Sequence, residues 1–585
     1  MIENDSQSPD KEVKSKWRVP GDGLIAVSLL IGLMALYHAN GDFLIGSDAI
    51  PNVYLPLNVL DQGRLTFTPE NTPFMLAWAL KTDEGRRVVK FIRWDTRPSD
   101  KSTVCFEPQG ASLTGQSTFR QLHDSGKLSV LKEDYYVLPT ADPDDGTYVN
   151  IYGVGAGLTA LPFFAVQSLF VDDLAANRVA LWYGAKFVAS FCVAVSAAMV
   201  FLTCRRFTGR LPAFLIALAY GTGTCLWSVT AQTLWQSGPA IMFLSLGIYC
   251  LVRIEDNRWW AAGSAALLGW AVICRPTMAL VAVAVGVYLA AVALRRWRAA
   301  SDTGGLRKAV APLLIYVLTG LPLAIGLAFY NWHYLGSPWT FGQVEAGRRF
   351  TETAAAAGTP WDTPVLRGFS GLLFSPSRGL LVYSPVLIFA LWGLVRLWRN
   401  PRLSVLRPIS IAAVLILLLP AKWFSWYGGQ SFGYRLMVDA LPLVALGSVA
   451  VIENIRRQKA LVALFAVLLV WSVGVQIIGA YAYNTIGWNL RPGYAVTVPG
   501  NEKPFLVIDR EVAEQYVRQK DARVMKVLMS IDLVPFHQRL WSVRDSQLVY
   551  YFGHFAESRR LKKQLIRQWL DSYVIRVPSK TKKRG

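Results

Sequence analysis

Residues 277–294, TMALVAVAVGVYLAAVAL, run without a charge and stop at Arg295-Arg296-Trp297-Arg298. At 1.5 Å per helical residue this is roughly 27 Å, close to the roughly 30 Å thickness of a bilayer's hydrocarbon core. The run reads as one membrane-crossing helix closed by a basic anchor.

The same pattern recurs near 22–40, 178–203, 211–230, 237–253, 259–274, 311–331, 379–397, 405–421, 436–452 and 460–482, giving about eleven crossings. The short 259–274 and 277–294 pair meets at Cys274-Arg275-Pro276-Thr277, so one long kinked helix or a re-entrant pair is the alternative. Composition agrees: 53% of the 585 residues are hydrophobic and 17% charged, against about a quarter charged in soluble proteins.

Every second short loop is rich in Lys and Arg. The N-terminal tail, Arg205/Arg206/Arg210, Arg253/Arg258, Arg295/Arg296/Arg298/Arg307/Lys308, Arg396/Arg399/Arg402/Arg407 and Arg456/Arg457/Lys459 all fall on one face under this assignment. By the positive-inside rule that face is the cytoplasm. The tail before the first helix (1–21, with Lys11, Lys14, Lys16 and Arg18) lacks a following small-residue cleavage site, so the first helix is expected to stay in place.

The fold class expected is therefore an all-α polytopic membrane protein with its N-terminus cytoplasmic. A transmembrane domain spans 22–482. Three segments lie on the far face: a first loop at 41–176, a second at 332–378, and a small α/β C-terminal domain at 483–585. Within the first loop, Tyr152 to Phe170 reads as a helix lying at the interface. The Lys580 to Arg584 end reads as a basic tail near anionic headgroups. The formal charge of +21, from 60 Lys+Arg and 39 Asp+Glu, sits mostly in clusters at helix ends, which argues against nucleic acid as a partner. Five of the six cysteines fall in or beside apolar stretches, with neither disulfide nor zinc spacing.

Chemistry is expected on the far face. Gly46-Ser47-Asp48 follows the first helix, and a carboxylate at the membrane surface is costly unless it is paired or working as a base; a loop-ending acid is the alternative reading. Gln232 to Pro239, including Trp235 and Gln236, joins amides to aromatics of the kind a sugar ring stacks on. Asn331 to Pro338, including His333, does the same, although Trp and Tyr also anchor helices at an interface. Lys422 to Arg435 is an aromatic, glycine-containing loop that includes Tyr427. Its two cations run against the positive-inside trend, and a guanidinium there suits a phosphate. For Arg435 the alternative is an intrahelical pair with Asp439. Arg378 lies in Ser375-Pro376-Ser377-Arg378-Gly379.

These motifs, across about residues 20–485, resemble the GT-C superfamily of integral membrane glycosyltransferases, especially bacterial relatives of protein mannosyltransferases and of lipid A aminoarabinose or galacturonic acid transferases. The resemblance implies a polyprenyl-phosphate-linked sugar donor and a cell-envelope acceptor at the outer face of the bacterial inner membrane. It implies Asp48 as the catalytic residue and basic residues on the donor phosphate, for which Arg378, Lys422 and Arg435 are the candidates. Trp235, Gln236 and Tyr427 are candidates for substrate, and His333 is either a phosphate or acceptor ligand or a histidine packed at the interface beside Trp332 and Tyr334. Many relatives carry two adjacent acids in the first loop, whereas Asp48 is flanked by Ser47 and Ala49. A divalent metal is thus an open requirement, and a second carboxylate would come from Asp42, Asp61, Glu133, Asp134 or Glu345. A transporter or flippase of a lipid-linked or anionic solute, and a polysaccharide polymerase or ligase, are the rival readings.

Overall fold

The computed structural model describes residues 21–571 apart from 70–71, 73–74, 83–84, 92–104, 107–124, 134–135, 176, 300–302, 354–358, 500–504, 508–509 and 533. The basic tail at 1–20, Asp134 and the Lys580 to Arg584 end lie outside the described residues, as does the side chain of Glu133.

Among the described residues, six helical segments are long and apolar enough to cross a membrane: Arg178–Cys204, Arg210–Ser228, Pro276–Ala299, Arg307–Leu335, Pro401–Lys422 and Lys459–Ala482. Shorter apolar helices occupy Asp22–His38, Ser237–Leu251 and Trp260–Cys274. The runs at 379–397 and 436–452 are not single helices. The first breaks into Leu380–Tyr383 and Leu387–Arg396 at Ser384-Pro385, and the second into short turns around Leu441–Gly447. Proline lacks the amide N–H that a continuous helix needs, which accounts for the break before Leu387. Cys274 and Ala279 end and begin separate helices, with Arg275 extended between them.

We call Asp22–His38 α1, Ile50–Gln62 α2, Gly155–Ser168 α3, Arg178–Cys204 α4, Ser237–Leu251 α5 and Lys459–Ala482 α6. The centre of the bundle is α4, which packs on α1 and α5. Its small residues, among them Ala189, Ser190, Ala194, Ser196, Ala197 and Ala198, let neighbouring helices approach closely. Ser196 Oγ bonds both the Tyr220 hydroxyl and Ser245 Oγ at 2.7 Å, tying three helices together. The helices Arg307–Leu335 and α6 sit outside. Only 11% and 17% of their most apolar windows are buried, so the rest of each apolar surface faces outward, as a lipid-facing helix requires.

Polar contacts gather the basic clusters at one end of the bundle. Asp22 bridges Arg205 and Arg210, Arg206 pairs with Asp256, Arg296 with Glu255, and Thr208 bonds Glu453. Chain segments assigned to one face by their charge are thus in contact.

The opposite end carries the loops. The first loop holds a four-stranded antiparallel sheet and a hairpin pairing Val137–Pro139 with Tyr148–Asn150. The stretch read as interfacial forms α3, which packs on α2. In the C-terminal segment, strand Leu490–Thr497 lies between Phe505–Val507 and Arg523–Ser530, both antiparallel to it, with Arg510–Lys520 helical beside them. This segment is stitched to the transmembrane part at Ser375 and Ser377. Their hydroxyls donate to the carbonyls of Leu540 and Arg539, and Gln547 bonds Tyr383 and the Ser431 carbonyl.

Candidate active site

Two adjoining cavities lie at the loop end. The polar one encloses about 820 Å³ between the first loop, the Lys422 to Arg435 loop and the C-terminal segment. The apolar one, about 370 Å³, is lined by Leu280, Leu327, Ile416, Leu419 and Pro420 from membrane-spanning helices. Both fall within the roughly 300–1,000 Å³ of small-molecule sites. They share Tyr152, Gln343, Trp423 and Leu436 in their walls.

Asp48 lies in a one-turn helix, Ser47–Ala49, that leads into α2. The loop bearing it is fastened to the turn before α5: the Leu44 amide donates to the Gln232 carbonyl at 3.0 Å, and Asn52 Nδ2 to the Leu234 carbonyl at 3.2 Å. Asn150 Nδ2 in turn donates to Asn52 Oδ1 at 2.9 Å. Upstream, buried Lys186 on α4 donates to Asn40 Oδ1 at 2.6 Å and to the Asp42 carbonyl, so the start of the loop is anchored to the bundle.

Opposite Asp48, the Arg435 guanidinium forms an ion pair with its carboxylate and stands 4.2 Å from the Trp235 ring centroid. Trp235 is held by its indole N–H donating to the Val229 carbonyl at 3.2 Å. Gly46 is required by this packing, because a Cβ there would sit 2.4 Å from the Trp235 ring. The intrahelical Arg435–Asp439 pair does not form. Asp439 pairs instead with Arg275, which also donates to Ser237 Oγ at 2.8 Å.

The residues expected at the site divide. Asp48, Arg435, Trp235 and Tyr427 line the polar cavity, and Gln236 lines the apolar one, where it bonds Gln343. Arg378 does not reach either. It is fully buried, and its guanidinium donates to the carbonyls of Tyr427, Ser377 and Gly429 at 2.9–3.0 Å. Those bonds hold the loop at Gly428 and Gly429, whose φ of 77° and 63° suit glycine. Lys422 lines neither cavity but neighbours Asp362, which does. His333 is exposed and stacks on Phe329, apart from both.

Among the described residues, the candidate second carboxylates also lie elsewhere. Asp42 is buried beside Lys186, Asp61 lies near Asp173, and Glu345 pairs with Arg348 and Arg349. The acids that accompany Asp48 in the polar cavity are Asp362 and Asp532, together with Arg367 and His537. Sequence reading missed these four. Asp362-Thr363-Pro364 before an apolar run was a visible helix-start signal, whereas nothing marked Asp532 or His537. Hydrogen bonds from Thr359 hold Asp362 below the usual carboxylate range. His537 Nε2 lies 3.2 Å from the Tyr427 hydroxyl, and burial, with Arg367 nearby, pulls its pKa below that of a free histidine. Among the described residues no three His, Cys, Asp or Glu side chains converge as metal ligands, and Asp48 faces a guanidinium. The site as built does not fit a carboxylate-held divalent ion.

Residues 182–319 match the family model of dolichyl-phosphate-mannose-protein mannosyltransferase. That match supports a membrane glycosyltransferase of the GT-C superfamily. It takes in Trp235, Gln236 and Arg275, while Asp48 and Arg435 lie outside it. No curated protein matches the chain.

Proposed function

We propose that this protein moves a sugar from a polyprenyl-phosphate donor to a cell-envelope acceptor, in the bacterial cytoplasmic membrane and on its outer face, with about eleven crossings and the N-terminus inside. The observation that carries the reading is an apolar cavity at membrane-helix level adjoining a polar cavity that contains a carboxylate and a guanidinium in contact. An isoprenoid chain suits the first and a sugar with its phosphate the second. Among the described residues, Gln236 Oε1, Tyr330 Oη and Asp439 Oδ1 on the apolar cavity's wall are buried without a hydrogen-bond partner, which suits an amphiphile whose polar groups extend from the polar cavity into this one. Buried polar groups are normally hydrogen-bonded, so an occupant is expected to supply partners.

In the reaction, the acceptor hydroxyl gives its proton to Asp48 as its oxygen bonds the anomeric carbon. The bond from that carbon to the phosphate oxygen breaks, and the polyprenyl phosphate leaves with the electron pair. Arg435, passing from Asp48 to the phosphate, stabilises the leaving charge. The trade frees the carboxylate as the donor arrives.

The test is to mix full-length protein in nanodiscs with a panel of undecaprenyl-phosphate sugars and a cell-envelope extract, and to follow free undecaprenyl phosphate. Its release from one donor supports transfer. Movement of intact donor or a soluble anion across the bilayer without release would favour a transporter instead.

A further inference from the structure

The outward faces of the last two helices serve none of the chemistry above. In Gln547–Gly553, α7, Gln547 and Tyr551 point inward, whereas Val549 is 48% and Phe552 75% exposed. In Phe555–Asp571, α8, Ser558, Lys562 and Ile566 are buried, and Arg559, Arg560, Lys563 and Arg567 are exposed. Arg560, Lys563 and Arg567 border one shallow surface recess with Gln564 and Gln568. No ion pair with a carboxylate engages these three among the described residues.

The height of this basic face relative to the bundle follows from α6. Lys562 Nζ donates to the Ala480 carbonyl at 2.6 Å, and the Arg559 guanidinium stands 5.4 Å from the Tyr481 ring. Both contacts fall on the last turn of α6, whose preceding turns expose Val470, Trp471 and Ile477. Helix α8 therefore meets α6 at its last turn, the level at which a membrane-spanning helix of this length leaves the hydrocarbon. Cationic side chains at this level, next to exposed apolar ones, match the headgroup layer of an anionic leaflet.

We propose that α7 and α8 rest on the membrane surface, with Arg560, Lys563 and Arg567 binding the phosphates of anionic phospholipids and Phe552 entering the acyl boundary. This holds whether or not the protein transfers sugars.

The test uses full-length protein carrying Cys105→Ser and Phe552→Cys, with bimane on the new thiol, reconstituted in vesicles that contain lipid with a nitroxide on its headgroup. The lipid is phosphatidylcholine alone or mixed with phosphatidylglycerol. Quenching should rise with phosphatidylglycerol and fall at high salt. Arg560→Gln/Lys563→Gln/Arg567→Gln should weaken the dependence on phosphatidylglycerol by roughly fivefold per residue, and the corresponding glutamates should weaken it further. The glutamine variant keeps the test valid if charge reversal prevents folding. A label as unquenched as one in water, or quenching indifferent to phosphatidylglycerol, salt and both variants, would overturn the proposal.

Discussion

Arg435 and Asp48 are 387 residues apart in the chain and form an ion pair at the wall of the polar cavity, with Trp235 stacked against the arginine. While the two are paired, the carboxylate oxygen and the guanidinium N–H groups are occupied by each other and are not free for an acceptor hydroxyl or a phosphate. Each group is therefore expected to act once the other is drawn away. Asp48→Asn should bind undecaprenyl phosphate more tightly than wild type while losing roughly 10²–10⁴-fold in transfer. Arg435→Gln should lose both, with transfer falling roughly 10²–10³-fold. Equilibrium binding of undecaprenyl phosphate to the three proteins, read alongside transfer, checks the opposite signs.

Arg378 is expected to act on folding. Its guanidinium serves the carbonyls of Tyr427, Ser377 and Gly429, and each buried acceptor left without a donor costs roughly 1–3 kcal/mol. Arg378→Gln should lower the thermal unfolding midpoint in detergent by several degrees, whereas Arg435→Gln should leave it near wild type. An unchanged midpoint for Arg378→Gln, with weakened lipid-phosphate binding, would return that arginine to the ligand.

Gly46 tests the packing behind Asp48. A methyl group at that position meets the Trp235 ring at 2.4 Å, so the ring or the loop must move and the Arg435 contact with it. Gly46→Ala should cost about 1–3 kcal/mol of stability and sharply reduce transfer. Melting and activity of the one variant measure both effects.

His537 sets a pH dependence. Its folded pKa lies below 6.5, so as pH falls the unfolded chain takes up the proton first and the folded state loses relative stability. The loss begins near pH 6.5 and continues until the folded histidine protonates. His537→Gln should flatten the fall of the unfolding midpoint across this acidic window and change little above neutral pH.

The long apolar helices were legible because hydrocarbon thickness dictates run length, and the assignment of sides rests on basic clusters that recur at every second short loop. Contacts such as Asp22 with Arg205 and Arg210 bring clusters assigned to one face together. The breaks at Ser384-Pro385 and around Leu441–Gly447 were not legible, since hydropathy measures apolarity and is blind to backbone continuity. Asp48 and Arg435 stood out as charges at unusual depths. Arg378 stood out for the same reason, yet a cation that saturates buried carbonyls and one that awaits a phosphate look alike in sequence. Asp532 and His537 reach the cavity through the packing of the C-terminal segment on Ser375 and Ser377, which no local pattern reports.

Radiolabelled undecaprenyl-phosphate sugars, presented with cell-envelope extract to wild-type, Asp48→Asn and Arg435→Gln proteins in nanodiscs, test catalysis at the Asp48–Arg435 pair most directly. Label should pass to an acceptor with wild type and fall by at least roughly a hundredfold with either variant. Equal transfer by wild type and a folded Asp48→Asn protein would contradict the role given to that carboxylate.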